Sequence, residues 1–227
     1  MRKDIDADLQ LYTPEKLNED LPVVIVNIDK VEDNEAIHEA VTELLDKDFI
    51  LAFVKVKSWN DDLSPWPNDR LFKGGAPFAG KADAHLDSII ANAIPKIEDF
   101  LSEYSVKPSS YYIAGYSLAG LFALYSAYRC DQFEGFVSAS GSLWYPGLMN
   151  YMDEHEISSK IRKAYFSLGD QEAKTSHPLM SQVEKNTGEI QRKLSGTIKT
   201  IFELNEGNHF KDADLRLAKG IAWILSN

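Results

Sequence analysis

Residues able to carry out acyl transfer fall in a suggestive order along this chain: a serine at Ser117, a carboxylate at Asp170 or Glu172, and a histidine at His209. The serine lies in Gly115-Tyr116-Ser117-Leu118-Ala119-Gly120. A short apolar run, Tyr111 to Ala114, precedes it, and a long apolar, helix-forming segment follows it to Tyr128. This pattern predicts a strand, a tight turn with the serine at its apex, and a helix. A serine on such an elbow projects its hydroxyl above the sheet, and the helix N-terminus offers free N–H groups to a developing oxyanion. Small residues flank the serine because strand and helix cross closely there. The usual spacing G-x-S-x-G has a glycine where Ala119 stands, with Gly120 next. Alanine still lets the helix approach the strand.

A serine hydroxyl is a poor nucleophile at neutral pH and needs a base to take its proton. The base in turn needs a carboxylate to hold its tautomer and stabilise the imidazolium. On elbow-bearing sheets the chain order is serine, acid, histidine, each after a separate strand. Downstream of Ser117 stand His155, His177 and His209. Of these, His209 alone follows a predicted strand and precedes the last helix, in a Gly-Asn-His turn. His155 and His177 lie in polar segments and read as surface residues, and His38 and His85 precede the serine on predicted helices. Both Asp170 and Glu172 follow the strand KAYFSL. The spacing past Gly169 favours Glu172, whereas Asp170 has the shorter arm and could instead cap the turn. The oxyanion hole is expected to use the N–H of Leu118 and a second N–H from the loop near Trp59 or Asn60.

The elements that must position these groups alternate. Leu21 to Ile28 and Phe49 to Val56 read as buried strands, with a helix over Asn34 to Asp46 between them. His85 to Tyr104 reads as an amphipathic helix in which Pro95 predicts a kink or a delayed start. Further strands are expected at Phe133 to Ala139, Lys163 to Leu168 and Thr197 to Glu203. A helix is expected within Met180 to Leu194 and a last one over Ala213 to Leu225. Such alternation predicts an α/β fold, a mostly parallel central sheet with helices on both faces. The long segment from Ser58 to Lys81 carries Pro65, Pro67, Pro77 and the aromatics Trp59, Trp66, Phe72 and Phe78. It follows a parallel strand, where open α/β sheets bind ligands, and is expected to be a structured active-site loop, although its aromatics can equally tuck it onto the body.

The chain has 227 residues, 44% hydrophobic and 26% charged, which fits one domain over residues 1–227. Its net charge of -11 argues against a nucleic-acid or anionic-membrane partner. One cysteine, Cys130, excludes an intrachain disulfide and a cysteine metal cluster. The charged Met1 to Gln10 shows no secretory signal, and no run approaches a membrane span, so a cytoplasmic location is expected. Oligomeric state is not legible.

The segments GYSLAGLFALY, SGSLWYPG, SLGDQEAKT and EGNHFKDADLRLAKGIAWI together resemble the putative esterase family of α/β-hydrolases. That family includes esterase D-like enzymes and the esterases that open trilactone siderophores. The resemblance covers most of Leu51 to the C-terminus. It implies an α/β-hydrolase fold and a serine carboxylesterase in which Ser117 and His209 carry the chemistry, acting on a small-molecule ester through an acyl-enzyme. No metal or organic cofactor is needed for that chemistry. Siderophore esterases tend to have an arginine in the loop after the third strand, where this chain has Trp59-Asn60-Asp61-Asp62-Leu63. Ser140 to Ile161 is too short for a large cap domain, but a small helix there would offer Trp144 and Tyr145 to substrate, with Trp66 contributed by the long loop; aromatics there read equally as packing residues. Two other outcomes compete: an inactive hydrolase-fold protein that binds a ligand or partner, and an acyltransferase using the same residues.

Overall fold

The computed structural model describes residues 1–30, 34–71 and 74–226. Two short strands that the sequence pattern does not announce, β1 (Arg2–Asp4) and β2 (Leu9–Tyr12), pair antiparallel at one edge of the sheet. Next come β3 (Leu21–Ile28), α1 (Glu35–Leu44) and β4 (Ile50–Lys55). Alternate residues of β3 and β4 enter two different cores. Val23, Ile25, Ile50 and Ala52 face one side, and Val24, Val26, Leu51 and Phe53 the other. Burial on both faces is why these strands read as continuous apolar runs rather than alternating ones.

The segment after β4 is structured. It holds a short helix, α2 (Trp59–Asp62), and a two-stranded antiparallel ribbon of β5 (Pro67–Asn68) and β6 (Phe78–Ala79). Phe72, among the aromatics of the predicted loop, lies outside the described residues. The helix that follows runs from α3 (Ala82–Ser88) through a π-helical turn (Ile89–Ala93) into α4 (Ile94–Ser102). Pro95 cannot donate an N–H and crowds the carbonyl four residues back. The helix answers by widening one turn earlier, where the Ile94 N–H reaches back to the Ile89 carbonyl.

The remainder alternates: β7 (Pro108–Tyr116), α5 (Leu118–Arg129), β8 (Gly135–Ala139), α6 (Leu148–Glu154), β9 (Lys163–Gly169), α7 (Val183–Leu194), β10 (Lys199–Asn205) and α8 (Ala213–Ser226). The sheet order is β1-β2-β4-β3-β7-β8-β9-β10. Strands β4, β3, β7, β8, β9 and β10 are mutually parallel, and β2 pairs antiparallel with β4. Residues of α1 and α8 (Ile37, Val41, Leu217, Ile221) fill the core on one face, and those of α3, α4, α5 and α7 the other. This is an α/β-hydrolase fold. Its centre is β7, which hands the chain to α5, a helix buried on every side from Leu118 to Ala127.

Candidate active site

At the end of β7 the backbone makes one strained step. Ser117 sits at φ 60°, ψ -122°, a region that side chains rarely adopt, before α5 begins at Leu118. The strain is held by four backbone hydrogen bonds at this residue. The Ser117 N–H donates to Ala139 O at 3.0 Å, and its carbonyl accepts from Gly120, Leu121 and Ser142 N–H at 3.0 to 3.2 Å. The crossing of strand and helix is tight: a Cβ on Gly115 would lie 2.4 Å from the Ala119 backbone and 2.5 Å from its Cβ. Ala119 is therefore tolerated at the usual glycine position because Gly115 opposite it has no side chain.

The Ser117 hydroxyl meets His209 Nε2 at 3.0 Å, and His209 Nδ1 meets Glu172 Oε2 at 2.7 Å. These residues come from three separate strand ends, after β7, β10 and β9. The two outer loops are laced together. Asp170 Oδ1 accepts the Gly207 N–H at 2.8 Å, and the Gln171 N–H donates to Gly207 O at 3.0 Å. Gly207, at φ 107°, takes the turn that brings His209 back over the sheet. Asp170 thus shapes the histidine loop, and Glu172 is the carboxylate that touches the ring.

The other oxygen of Glu172 is held from three sides: Gly169 N–H at 2.6 Å, Ser140 Oγ at 2.7 Å and Arg216 Nη1 at 3.2 Å. Arg216, on α8, is 1% exposed; its Nη2 donates to Glu206 O at 3.0 Å. Burial opposes ionisation of Glu172, but the hydrogen bonds from His209, the Gly169 N–H and Ser140 outweigh it. The carboxyl is held below its ordinary value of 4.5. For Asp170 the hydrogen bond from the Gly207 N–H, joined by one from Gln171, lowers the value. Tyr116, whose hydroxyl donates to the His209 carbonyl at 2.7 Å, has its phenol pushed up by burial.

Ser117 and His209 open into a cleft of about 450 Å³ whose walls include Trp59, Leu118, Trp144 and Phe210. Leu118 is the first residue of α5 and Trp59 the first of α2, so neither N–H has an acceptor within its helix. Trp66 and Tyr145 do not line this cleft. Trp66 donates its indole N–H to Pro146 O at 2.8 Å and packs edge-on against Tyr125 and Tyr145, and the Tyr145 hydroxyl donates to Trp66 O at 2.7 Å. Aromatic content in a loop did not distinguish packing from a site. Arg216, Ser140 and Tyr116 around Glu172 and His209, and Leu71, Met180 and Phe210 in the cleft wall, are not singled out by sequence reasoning.

The other histidines have packing roles. His85 Nε2 meets Asn27 Oδ1 at 2.8 Å, His38 stacks on Tyr12, His155 stacks on Tyr151, and His177 approaches Leu71 O at 3.3 Å. A second cleft, of about 330 Å³, lies beside His85 and is lined by Asp8, Lys57, Asp62 and Lys96 among others. Among the described residues no group of three or more His, Cys, Asp or Glu is placed to hold a metal, and no helix is long and apolar enough to cross a membrane.

Over residues 3–192 the sequence matches the family described as “Putative esterase”. No curated protein matches it. Among solved structures it is similar to the siderophore hydrolase EstA from Aspergillus nidulans, with a TM-score of 0.73 and 18% identity over 96% of this chain and 89% of that one. An IroE-like serine hydrolase from Shewanella oneidensis gives a TM-score of 0.73 and 18% identity over 96% of this chain and 75% of that one. FphF, a fluorophosphonate-binding serine hydrolase of Staphylococcus aureus, gives 0.58 and 13% over 100% and 97%. At these identities the likeness speaks for the fold.

Proposed function

We propose, from the premise that this chain belongs to the “Putative esterase” family and is a serine ester hydrolase, that it cleaves a small-molecule carboxylic ester through an acyl-enzyme formed on Ser117. The observation that carries this reading is the unbroken contact from the Ser117 hydroxyl through both nitrogens of His209 to Glu172. Ser117 Oγ attacks the ester carbonyl while His209 Nε2 takes its proton. Glu172 holds the proton on Nδ1 and stabilises the imidazolium, so that Nε2 is free to accept. The N–H of Leu118 and that of Trp59 hold the tetrahedral oxyanion. Collapse expels the alcohol with the proton from His209, and water then repeats the sequence to release the acid. Nothing in these steps calls for a metal or an organic cofactor.

The surroundings of Glu172 support its part. A carboxylate only 5% exposed would be costly to keep charged alone, and here Arg216, Ser140 and the Gly169 N–H engage the oxygen that His209 does not use. The pair is thereby fixed in both charge and orientation. The test is hydrolysis of p-nitrophenyl acetate by wild type, Ser117→Ala and His209→Ala. Each variant is expected to lose at least about three orders of magnitude in kcat/KM with its folding transition retained. A folded Ser117→Ala variant within tenfold of wild type would overturn the assignment.

A further inference from the structure

The walls of the Ser117 cleft come from separate segments yet share one chemistry. Trp59 from α2, Leu71 and Phe78 from the loop after it, Trp144 from the loop after β8, Met180 and Phe210 are all apolar. Asn60 and Ser142 are the polar wall residues beside Ser117 and His209. Among the described residues, no carboxylate, ammonium or guanidinium lines it. The acids of α2 are tied elsewhere. Asp61 accepts from the Ala79 N–H and Lys81, and Asp62 from the Ser58 N–H.

Phe210 is the most telling of these residues. It is 85% exposed, and its ring stands edge-on 5.3 Å from the His209 ring. A large aromatic held in water at the lip of an apolar cleft, next to a reactive pair, has surface to lose when a ligand arrives. At about 30 Å³ per water-sized volume, the cleft has room for roughly fifteen such volumes, the scale of a whole small ester carrying an aryl or medium-chain group.

Resting on the reading of Ser117 as nucleophile, we infer that the cleft takes an uncharged ester whose larger group is apolar, and that it rejects esters bearing a carboxylate on that group. Burying an anion against Trp59, Phe78 and Met180 would strip its water and supply no charged partner among the described residues. Each methylene buried contributes about 0.8 kcal/mol, close to a fourfold gain in kcat/KM.

The experiment is a comparison of kcat/KM for p-nitrophenyl acetate, butyrate, hexanoate and benzoate, with the p-nitrophenyl monoester of adipic acid as the anionic counterpart of hexanoate. The expected result is a rise of at least about tenfold from acetate to hexanoate, with the adipate monoester at least about tenfold below hexanoate. Phe210→Ala and Met180→Ala are each expected to lower the hexanoate-to-acetate ratio at least about threefold. Benzoate tells an aryl from an alkyl preference, and activity well above acetate on either supports the inference. A flat series, or an adipate monoester as good as hexanoate, overturns it. If acetate is turned over and Ser117→Ala abolishes that while the series is flat, the substrate class fails and the nucleophile stands. If no ester is turned over, the nucleophile reading fails and the inference falls with it.

Discussion

His209 and His85 each meet a side-chain oxygen at short range, His209 the Glu172 carboxylate at 2.7 Å and His85 the Asn27 amide at 2.8 Å. Both rings lie beside a cleft. They differ in what the partner can do. A carboxylate stabilises an imidazolium, whereas a neutral amide oxygen only accepts a hydrogen bond. Burial pushes His85 down to about 4, so that it stays neutral against Phe122 and serves as a packed, hydrogen-bonded core residue. The clefts differ in the same sense. The one at His85 is rich in charge, but Lys57 and Lys96 are already paired with Asp8 and Asp6. The one at His209 has apolar walls and a serine 3.0 Å from the free ring nitrogen. What sets the second region apart is an aligned chain of donors and acceptors ending on a serine hydroxyl, not the density of charge or the presence of a histidine.

Exchanging the two rings breaks the comparison most sharply. His209→Ala is expected to lower kcat/KM by about four to six orders of magnitude, and His85→Gln by less than about threefold, in steady-state assays on one ester. A large loss in the second variant would mean that His85 has a part in the chemistry. Glu172→Gln turns the His209 pair into the kind of pair His85 already has. With an amide in place of the carboxylate the tautomer is no longer fixed, and kcat is expected to fall by about two to four orders of magnitude.

A smaller effect separates the two pairs by stability. Arg216→Met leaves the Glu172 carboxylate buried without its cation, and urea unfolding is expected to show a loss of about 3–5 kcal/mol. The smallest effect is a pH dependence. His85 has a folded value near 4 against an ordinary 6.5, so the unfolded chain takes up a proton between those values that the folded chain does not. Stability is fully present above pH 6.5 and falls as the pH drops toward 4. The His85→Gln variant should lose that slope, worth at most about 3 kcal/mol, in melts recorded from pH 7 to 4.5. Glu172, held below 4.5, contributes stability above that pH, lost only as the pH falls through its folded value.

Much of the fold is legible because its central strands are buried on both faces and so appear as uninterrupted apolar runs between helical periods. Leu21–Ile28 is readable to the residue for that reason. β1 and β2 are not, since three exposed charged residues and a four-residue run carry no periodicity to detect. The elbow is legible from Gly115 and Ser117, where sterics leave few choices of residue. Which carboxylate touches His209 is less so, because Asp170 and Glu172 share one turn and only the laced loops separate their tasks. Arg216 is hidden for a different reason: an arginine on an amphipathic helix reads as solvent-facing, and its burial depends on a carboxylate 44 residues away in sequence. Trp66 and Tyr145 show why loop aromatics are hard to read: a tryptophan or tyrosine in a loop can face substrate or pack, and here the two rings pack on each other.

The central claim is that Ser117 is a nucleophile activated by His209. Intact-mass spectrometry after brief exposure to a fluorophosphonate tests it most directly, because it reads the covalent step without assuming a substrate. The expected result is a single adduct on wild type, mapped by peptide digestion to Ser117. It should be absent from Ser117→Ala, slowed by orders of magnitude in His209→Ala and formed at the wild-type rate in His85→Gln. An adduct that persists in Ser117→Ala, or folded wild-type protein that takes up no label, would contradict the claim.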